Sequence, residues 1–376
     1  MGNAVFKMVK KVLMVAPFDT KGRFKGGIKY IVDSIITEKE YIENKNIEIE
    51  TYDTCVIKRS KSVGGQLSVE NIRNYLKLRK GIKEKIKATE YDTLYYHSSI
   101  KWALLKDLLI IRSLKKKNKQ LKVVLHIHFA EYSKIMFSNR TVNDSIITIL
   151  NKHVNKVIFL SDRTKETFVN HGLSLERTSC IYNFHTVNLD DISVNNKISN
   201  IIHSERINFT FMGSIDKRKG ILDCLMAFKE CDFGYKFNIC GTIGNPNIVN
   251  DFNELVNSQS GEIIRHGYVS GQEKLNILLE TDVLLLPSFG EGMPIVILEA
   301  MAAGCSIITT NVGAITEILK EENGVIIIPG DNKELSSSII KLNKDRTIIK
   351  HHMEKNFAVS NQFSIYTFLD KVCSIL

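Results

Sequence analysis

Short apolar runs rich in β-branched residues alternate with amphipathic stretches along nearly the whole chain. Runs at 12–16, 47–52, 93–96, 123–127, 156–160 and 178–182 read as strands, and a second series follows at 208–212, 236–240, 262–266, 283–286, 306–309 and 324–328. Between them, apolar positions spaced by three and four predict helices over 70–88, 221–230, 272–279 and 295–303. Strands that alternate with helices at this spacing predict α/β architecture with parallel sheets covered on both faces. The alternation breaks once, between 183 and 205, where a polar stretch with Asp190, Asp191 and several asparagines reads as a linker. The expected organisation is therefore two Rossmann-like domains, 1–190 and 191–360, facing across a cleft. Strand C-termini and helix N-termini would line that cleft, so binding chemistry is expected just after strands.

At 376 residues the chain suits two domains rather than one core. A hydrophobic share of 44% and a charged share of 24% are those of a soluble globular protein. Seven cysteines without CxxC or metal-finger spacing point to reduced thiols in a reducing compartment. The apolar run at 12–18 is too short for a signal peptide, and nothing reaches the roughly 18 apolar residues of a membrane span. Met1-Gly2-Asn3-Ala4-Val5-Phe6 lacks the Ser or Thr that a myristoylation signal carries at its sixth position. The expected location is the cytoplasm, with peripheral contact to the inner membrane face.

The net charge of +10 is unevenly placed. Positions 1–190 hold 34 Lys and Arg against 19 Asp and Glu, and the stretch 56–122 alone holds 18 against 5. Two readings stand: a solvated lysine-rich helix face, or attraction to an anionic membrane surface or phosphate-bearing lipid acceptor. Nucleic acid is not expected as a partner, because no recognition motif accompanies the charge.

The most informative segment is Pro287-Ser-Phe-Gly-Glu291-Gly-Met-Pro-Ile-Val-Ile-Leu-Glu299-Ala-Met-Ala-Ala-Gly304. A buried strand runs into a glycine-rich loop, and Pro294 stands where a helix begins, which a first helical turn tolerates. Glu291 then lies in the loop and Glu299 about two turns into the helix. A loop carboxylate can meet a sugar hydroxyl, and a helix carboxylate can accept hydrogen bonds from a ribose diol. Gly292 and its neighbouring N–H groups at the helix start suit a diphosphate. The bland alternative, a cap and a solvated helix residue, fits poorly with Glu299 between Leu298 and Ala300.

Glu291-x7-Glu299 after this strand resembles the signature of glycosyltransferase family 4, a family of retaining enzymes with the GT-B fold. The resemblance continues through Gly313 and Glu317. It implies that Glu291 contacts the donor sugar, that Glu299 binds the nucleotide ribose, and that the backbone at Met293, Pro294 and Ile295 cradles the phosphates. It also implies that 361–376 ends in a helix crossing back onto the first domain.

A second motif is Gly213-Ser-Ile-Asp-Lys217-Arg218-Lys219-Gly220, a strand end followed by cations leading into a helix. Fixed N–H dipoles and mobile charges there form a place for phosphates. The family carries a Lys-Gly pair onto which Lys219 and Gly220 fall, whereas Ser214 stands where many members have arginine. Arg218 or Lys217 is then the second phosphate-binding cation. Near the N-terminus, Gly26-Gly27 allows a tight turn or the close approach of a ligand, and the resemblance places it beside the donor phosphates.

His126 and His128 share one strand face, so a metal pair is weighed. Glu131 is the nearest further ligand, and HxHxD and HExxH patterns are absent. His126 reads as structural, and His128 resembles the family's active-site histidine that approaches the donor sugar. Gly267, within His266-Gly267-Tyr268-Val269, matches the base-binding loop, and Cys240 and Cys305 read as core packing.

No DxD pair follows a strand, which disfavours a manganese-dependent mechanism. The expectation is thus a metal-independent retaining hexosyltransferase, with His128 and Glu291 catalytic and no cofactor. Its donor would be a UDP- or GDP-linked sugar, and its acceptor a glycan or lipid-linked molecule in bacterial surface polysaccharide synthesis. A GT-B sugar-nucleotide epimerase and a non-catalytic nucleotide-sugar binding protein are the alternatives.

Overall fold

The computed structural model describes residues 9–18, 27–55 and 69–376. Gly26, the first six residues and the basic stretch 56–68 lie outside the described residues. The chain divides into two compact units, Met1–Asn183 with Ile365–Leu376, and Phe184–Ser364.

The first unit is built on strands β1 (Lys10–Ala16), β2 (Ile47–Asp53), β3 (Thr93–Ser98), β4 (Lys122–Ile127), β5 (Lys156–Phe159) and β6 (Thr178–Cys180). They form one parallel sheet in the order β2-β1-β3-β4-β5-β6. The second unit carries β7 (Ile207–Met212), β8 (Tyr235–Cys240), β9 (Glu262–Gly267), β10 (Val283–Leu286), β11 (Ser306–Thr310) and β12 (Val325–Ile327). These too are parallel, in the order β12-β11-β10-β7-β8-β9. Each run read as a strand from its apolar pattern is one, to within two residues at either end.

The central strands of a parallel sheet covered on both faces are buried on both sides. Every residue of β10 and of β3 is buried. In the second unit the side chains of Phe209, Phe228, Tyr235 and Phe237 pack ring against ring, with Phe228 and Tyr235 stacked at 4.3 Å. Each such ring adds roughly 1.5–3 kcal/mol of burial to the core. Cys240 and Cys305 are buried in the same unit.

The polar stretch taken as a linker is a helix, Asp191–Asn200. Asp190 caps it by accepting from Ser193 N–H at 2.8 Å. Val194 and Ile198 are its buried stripe, continued by Ile201 at its C-cap, three apolar positions at helical spacing among asparagines that hide the period. Lys197 seals the contact. Its Nζ donates to the carbonyls of Leu278 (3.1 Å) and Ala303 (2.7 Å) and to Cys305 Sγ (3.3 Å).

The last helix, Ile365–Ile375, belongs to the first unit. Tyr41 Oη donates to Asp370 at 2.9 Å, and Thr93 Oγ1 donates to the carbonyl of Leu376 at 3.2 Å. No helix among the described residues is long and apolar enough to cross a membrane.

Lys197→Met keeps the stem and removes the ammonium, leaving carbonyls of the second unit without their donor. Charge-assisted bonds of this kind are worth about 2 kcal/mol together. A urea melt should show that loss as a lower midpoint with an unchanged slope.

Candidate functional site

In the second sheet the strand order reverses between β7 and β10, which pair directly through Val283↔Phe209 and Leu285↔Phe211. Loops leaving such a pair diverge to opposite faces and open a crevice at the carboxyl edge. After β7 the chain passes Gly213 and enters a short helical turn, Lys217–Lys219. Asp216 holds that turn by accepting from Lys219 N–H at 3.0 Å. After β10 comes the loop from Pro287 to Gly292, leading to the helix Ile295–Ala302.

The two loops are locked together by one backbone and one side-chain hydrogen bond. Phe289 N–H donates to the Arg218 carbonyl, and Arg218 Nη1 donates to the Gly290 carbonyl, both at 2.8 Å. Gly220 stands at φ 74°, and a Cβ there would lie 2.2 Å from the Pro287 carbonyl oxygen. Gly313, at φ 60°, would put a Cβ 2.4 Å from the Gly292 carbonyl oxygen. Both positions exclude side chains on conformation and on space. Ala314 N–H then donates to the same Gly292 carbonyl at 2.9 Å.

Glu291 is only 7% exposed. Its Oε1 accepts from Lys219 Nζ at 2.6 Å and from Ser288 Oγ at 2.8 Å. An ammonium has three N–H donors, so this bond leaves Lys219 able to give others. Glu299, 3% exposed, receives Lys274 Nζ at 2.5 Å. Lys274 comes from the helix Gly271–Glu280 and was not singled out from the sequence. Nothing in its neighbourhood distinguishes it from a lysine on any solvated helix face; only the fold brings it to Glu299.

Met293 is buried, and Pro294 is the N-cap of Ile295–Ala302. Pro294 therefore brings no N–H, and any donors to an anion come from Gly292, Met293, Ile295 and the first helical turn. Gly213 follows β7 and Gly267 ends β9, on either side of β8. Gly213 N–H donates to the Cys240 carbonyl at 2.9 Å, and Gly241 N–H donates to the Gly267 carbonyl at 2.6 Å. The His266 ring is engaged with Asn238 at 2.9 Å. The second unit thus gathers Gly213, Arg218, Lys219, Glu291, Gly292 and Glu299 on its carboxyl edge.

Gly27 and His128 belong to the first unit. Gly27 opens the helix Gly27–Thr37, with open space where a Cβ would stand. His128 follows β4 directly, and its N–H donates to the Ser98 carbonyl at 3.0 Å. Its ring nitrogen Nε2 lies 2.7 Å from Nδ1 of His97, on β3. His126 stacks on His128 with centroids 4.2 Å apart, and its Nδ1 lies 2.9 Å from Tyr95 Oη. All three imidazoles are buried. Burial pushes the His128 pKa down to about 3, and it lowers those of His97 and His126 as well. These rings are neutral at physiological pH.

His97 is the third histidine that the spacing along β4 did not offer. It comes from the adjacent strand, where His97 is the register partner of His126. One nitrogen from each ring falls within 4.8 Å of the others, a donor set of the kind that holds zinc. Two ligands of a tetrahedral zinc stand roughly 3.3 Å apart, however. At 2.7 Å, His97 Nδ1 and His128 Nε2 instead serve each other through a shared proton.

Residues 206–345 match the family profile described as "Glycosyl transferases group 1". An "Uncharacterized 41.2 kDa protein in cps region" of Klebsiella pneumoniae is 26% identical over 333 residues, 86% of this chain and 88% of its own. The "Capsular polysaccharide biosynthesis glycosyltransferase CapM" of Staphylococcus aureus is 26% identical over 223 residues, 55% of this chain and 57% of its own. Among solved structures, Anabaena Alr3699/HepE in complex with UDP superposes with a TM-score of 0.69 at 17% identity. That match covers 97% of this chain and 99% of the other. The profile spans both loops of the site, so the likeness read from Glu291-x7-Glu299 rests on more than the motif.

Removing one partner of a buried ion pair leaves the other charge uncompensated. Lys219→Met should cost about 3 kcal/mol for that reason. Adding Glu291→Gln should recover part of the loss, so the double variant should melt above Lys219→Met in the same thermal scan.

Proposed function

We infer that this chain, a glycosyltransferase of the GT-B fold, transfers a hexose from a nucleotide-diphosphate donor to a glycan or lipid-linked acceptor in bacterial surface polysaccharide synthesis, with retention of anomeric configuration. The observation that carries the reading is the pairing of half-buried Lys219 with buried Glu291 at the strand-order reversal, inside the matched segment. Lys219 and Arg218 supply cations for the diphosphate. The N–H groups of Gly292, Met293 and Ile295 add the partial charge of a helix start. Gly213 and Gly267 let phosphate and base approach the backbone, Glu299 takes the ribose diol, and Glu291 takes a hydroxyl of the sugar. His128 serves the transferred sugar, and Gly27 of the same unit serves the donor phosphates.

As the glycosidic bond breaks, negative charge grows on the departing phosphate. Preorganised cations and N–H dipoles stabilise that charge more than they stabilise the intact donor. The acceptor oxygen then bonds to the anomeric carbon on the face that the phosphate leaves, its proton passing to that phosphate, which yields retention. We assign the charge stabilisation to the protein's own cations, without a metal ion or cofactor, and take UDP or GDP as the nucleotide. Transfer is favoured over epimerisation because the named relative is a glycosyltransferase. Turnover with an acceptor separates transfer from epimerisation and from binding alone.

A basic groove of about 840 Å³ on the first unit supports a cytoplasmic enzyme held at an anionic membrane face. Arg112, Lys115, Lys116, Lys119 and Lys152 line it. The pKa of His153 within it is lowered by burial and then by Lys152, Arg112, Lys115 and Lys116, so the local field is positive. Clustered cations add roughly 1 kcal/mol each near an anionic surface.

A thermal-shift screen with UDP, GDP and their hexose conjugates in EDTA tests the donor site. One diphosphate and its conjugate should raise Tm, by an amount matching about 2.7 kcal/mol at a hundredfold excess over Kd. Glu299→Ala should lose that shift, whereas Glu291→Ala should keep it for the bare nucleotide and lose turnover. Silence with every nucleotide at millimolar concentration would count against the donor site.

Flotation with vesicles tests the groove. The protein should rise with phosphatidylglycerol vesicles and not with phosphatidylcholine vesicles, and raised salt should release it. Exchanging Arg112, Lys116 and Lys152 for glutamine should abolish flotation. Equal behaviour with both lipids would remove the membrane role.

A further inference from the structure

The histidines of the first unit are not placed as separate rings. His97 and His128 have ring planes only 10° apart, yet their centroids are 5.0 Å apart and two of their nitrogens 2.7 Å apart. Nitrogens so much closer than the ring centres, in nearly parallel planes, mean that the rings meet edge to edge. His126 covers a face of His128. His128 is therefore held from its edge and from its face at once.

Protonation states follow from counting. A neutral imidazole carries one N–H, so two neutral rings sharing one hydrogen bond place a hydrogen on one inner nitrogen and none on the other. The outer nitrogens, His97 Nε2 and His128 Nδ1, must then be opposite in kind, one a donor and one an acceptor. Both are buried without a partner among the described residues. Unsatisfied buried polar atoms are costly and mark places where a ligand or proton is exchanged. His126 is engaged separately: its Nδ1 shares a hydrogen bond with Tyr95 Oη, a phenol that burial keeps protonated and so able to donate.

We propose that His97 is a positioning residue for the transfer reaction, locking His128 into one tautomer so that its Nδ1 meets the transferred sugar in a single, fixed hydrogen-bonding state. The proposal rests on the role given above to His128. His97 itself need not touch substrate. It acts through the inner bond, and reversing that bond would exchange the donor and acceptor ends of the pair. Metal ligands are often oriented by an outer partner in the same way, and losing such partners typically costs 10–100-fold.

The test combines kinetics with spectroscopy. Nucleotide release from UDP-glucose, UDP-galactose or GDP-mannose would be followed for His97→Phe, His97→Asn, His128→Phe and the double phenylalanine variant. His97→Phe should lower kcat about 10- to 100-fold with little change in the donor KM. His97→Asn puts an amide close to where Nδ1 stood and should recover most of the loss. In the His128→Phe background, His97→Phe should add nothing. An unchanged urea midpoint and slope for the whole chain checks folding of the substituted unit in each variant. An effect of His97→Phe that is the same in both backgrounds, or no recovery with asparagine, would overturn the proposal.

Nitrogen-15 spectra of the histidine-labelled wild type give a second arm that needs no turnover. They should show His128 in one tautomer, with a coupling across the bond to His97 that disappears in His97→Phe. A His128 averaging between tautomers in the wild type would end the proposal whatever the kinetics. Wild-type turnover in His128→Phe, with the coupling present in the unsubstituted protein, would instead remove the role of His128 and leave the locked pair standing.

Discussion

A carboxylate withdrawn from water has to be answered by a cation, and in the second unit that demand sets where two loops must stand. Glu291 and Lys219 are 72 positions apart in the chain, yet they meet at 2.6 Å. The distance is kept by contacts that tolerate little adjustment. Gly220 lies against the Pro287 carbonyl, Gly313 against the Gly292 carbonyl, and Arg218 exchanges backbone and side-chain bonds with Phe289 and Gly290. A Cβ at either glycine would push the loops apart and strand the charge. The ion pair adds little net stability for its own sake, since desolvation offsets most of the attraction. Its consequence is positional: an ammonium with further N–H donors is held beside the start of a helix.

The sheet explains why this happens at one edge. With every strand parallel, all loops that follow strands emerge on the same side. The reversal of order between β7 and β10 parts the two loops there, and the helix starts add N–H groups without partners. Lys274 and Lys197 show the same economy of charge: one answers Glu299, and the other satisfies carbonyls beneath the helix Asp191–Asn200.

The first unit solves a different problem. Its buried carboxylate, Asp107, accepts from Tyr96 Oη and Ser98 Oγ, and its buried imidazoles are neutral rings answered through Tyr95–His126 and His97–His128 bonds. The register of β3 against β4 brings them together, because His97 stands opposite His126. Neutral pairs avoid the cost of buried charge and keep a definite direction for each proton.

What the sequence determined by itself was periodic or covalent. Apolar runs bounded by turns are local, so each strand could be read from its own residues, and Glu291, Glu299 and Lys219 stood out because their motifs are contiguous. The helix Asp191–Asn200 was hidden, since its stripe of Val194, Ile198 and Ile201 sits among asparagines that look like a loop until Lys197 finds its carbonyls. Lys274 and His97 were hidden for a related reason. Each matters only through a partner on another element, and neither carries a local mark. Pairing across strands and between helices is set by register and by the order of the sheet, which no stretch of sequence contains. Tertiary structure alone decided which charge answers Glu291, which answers Glu299, and which ring holds His128.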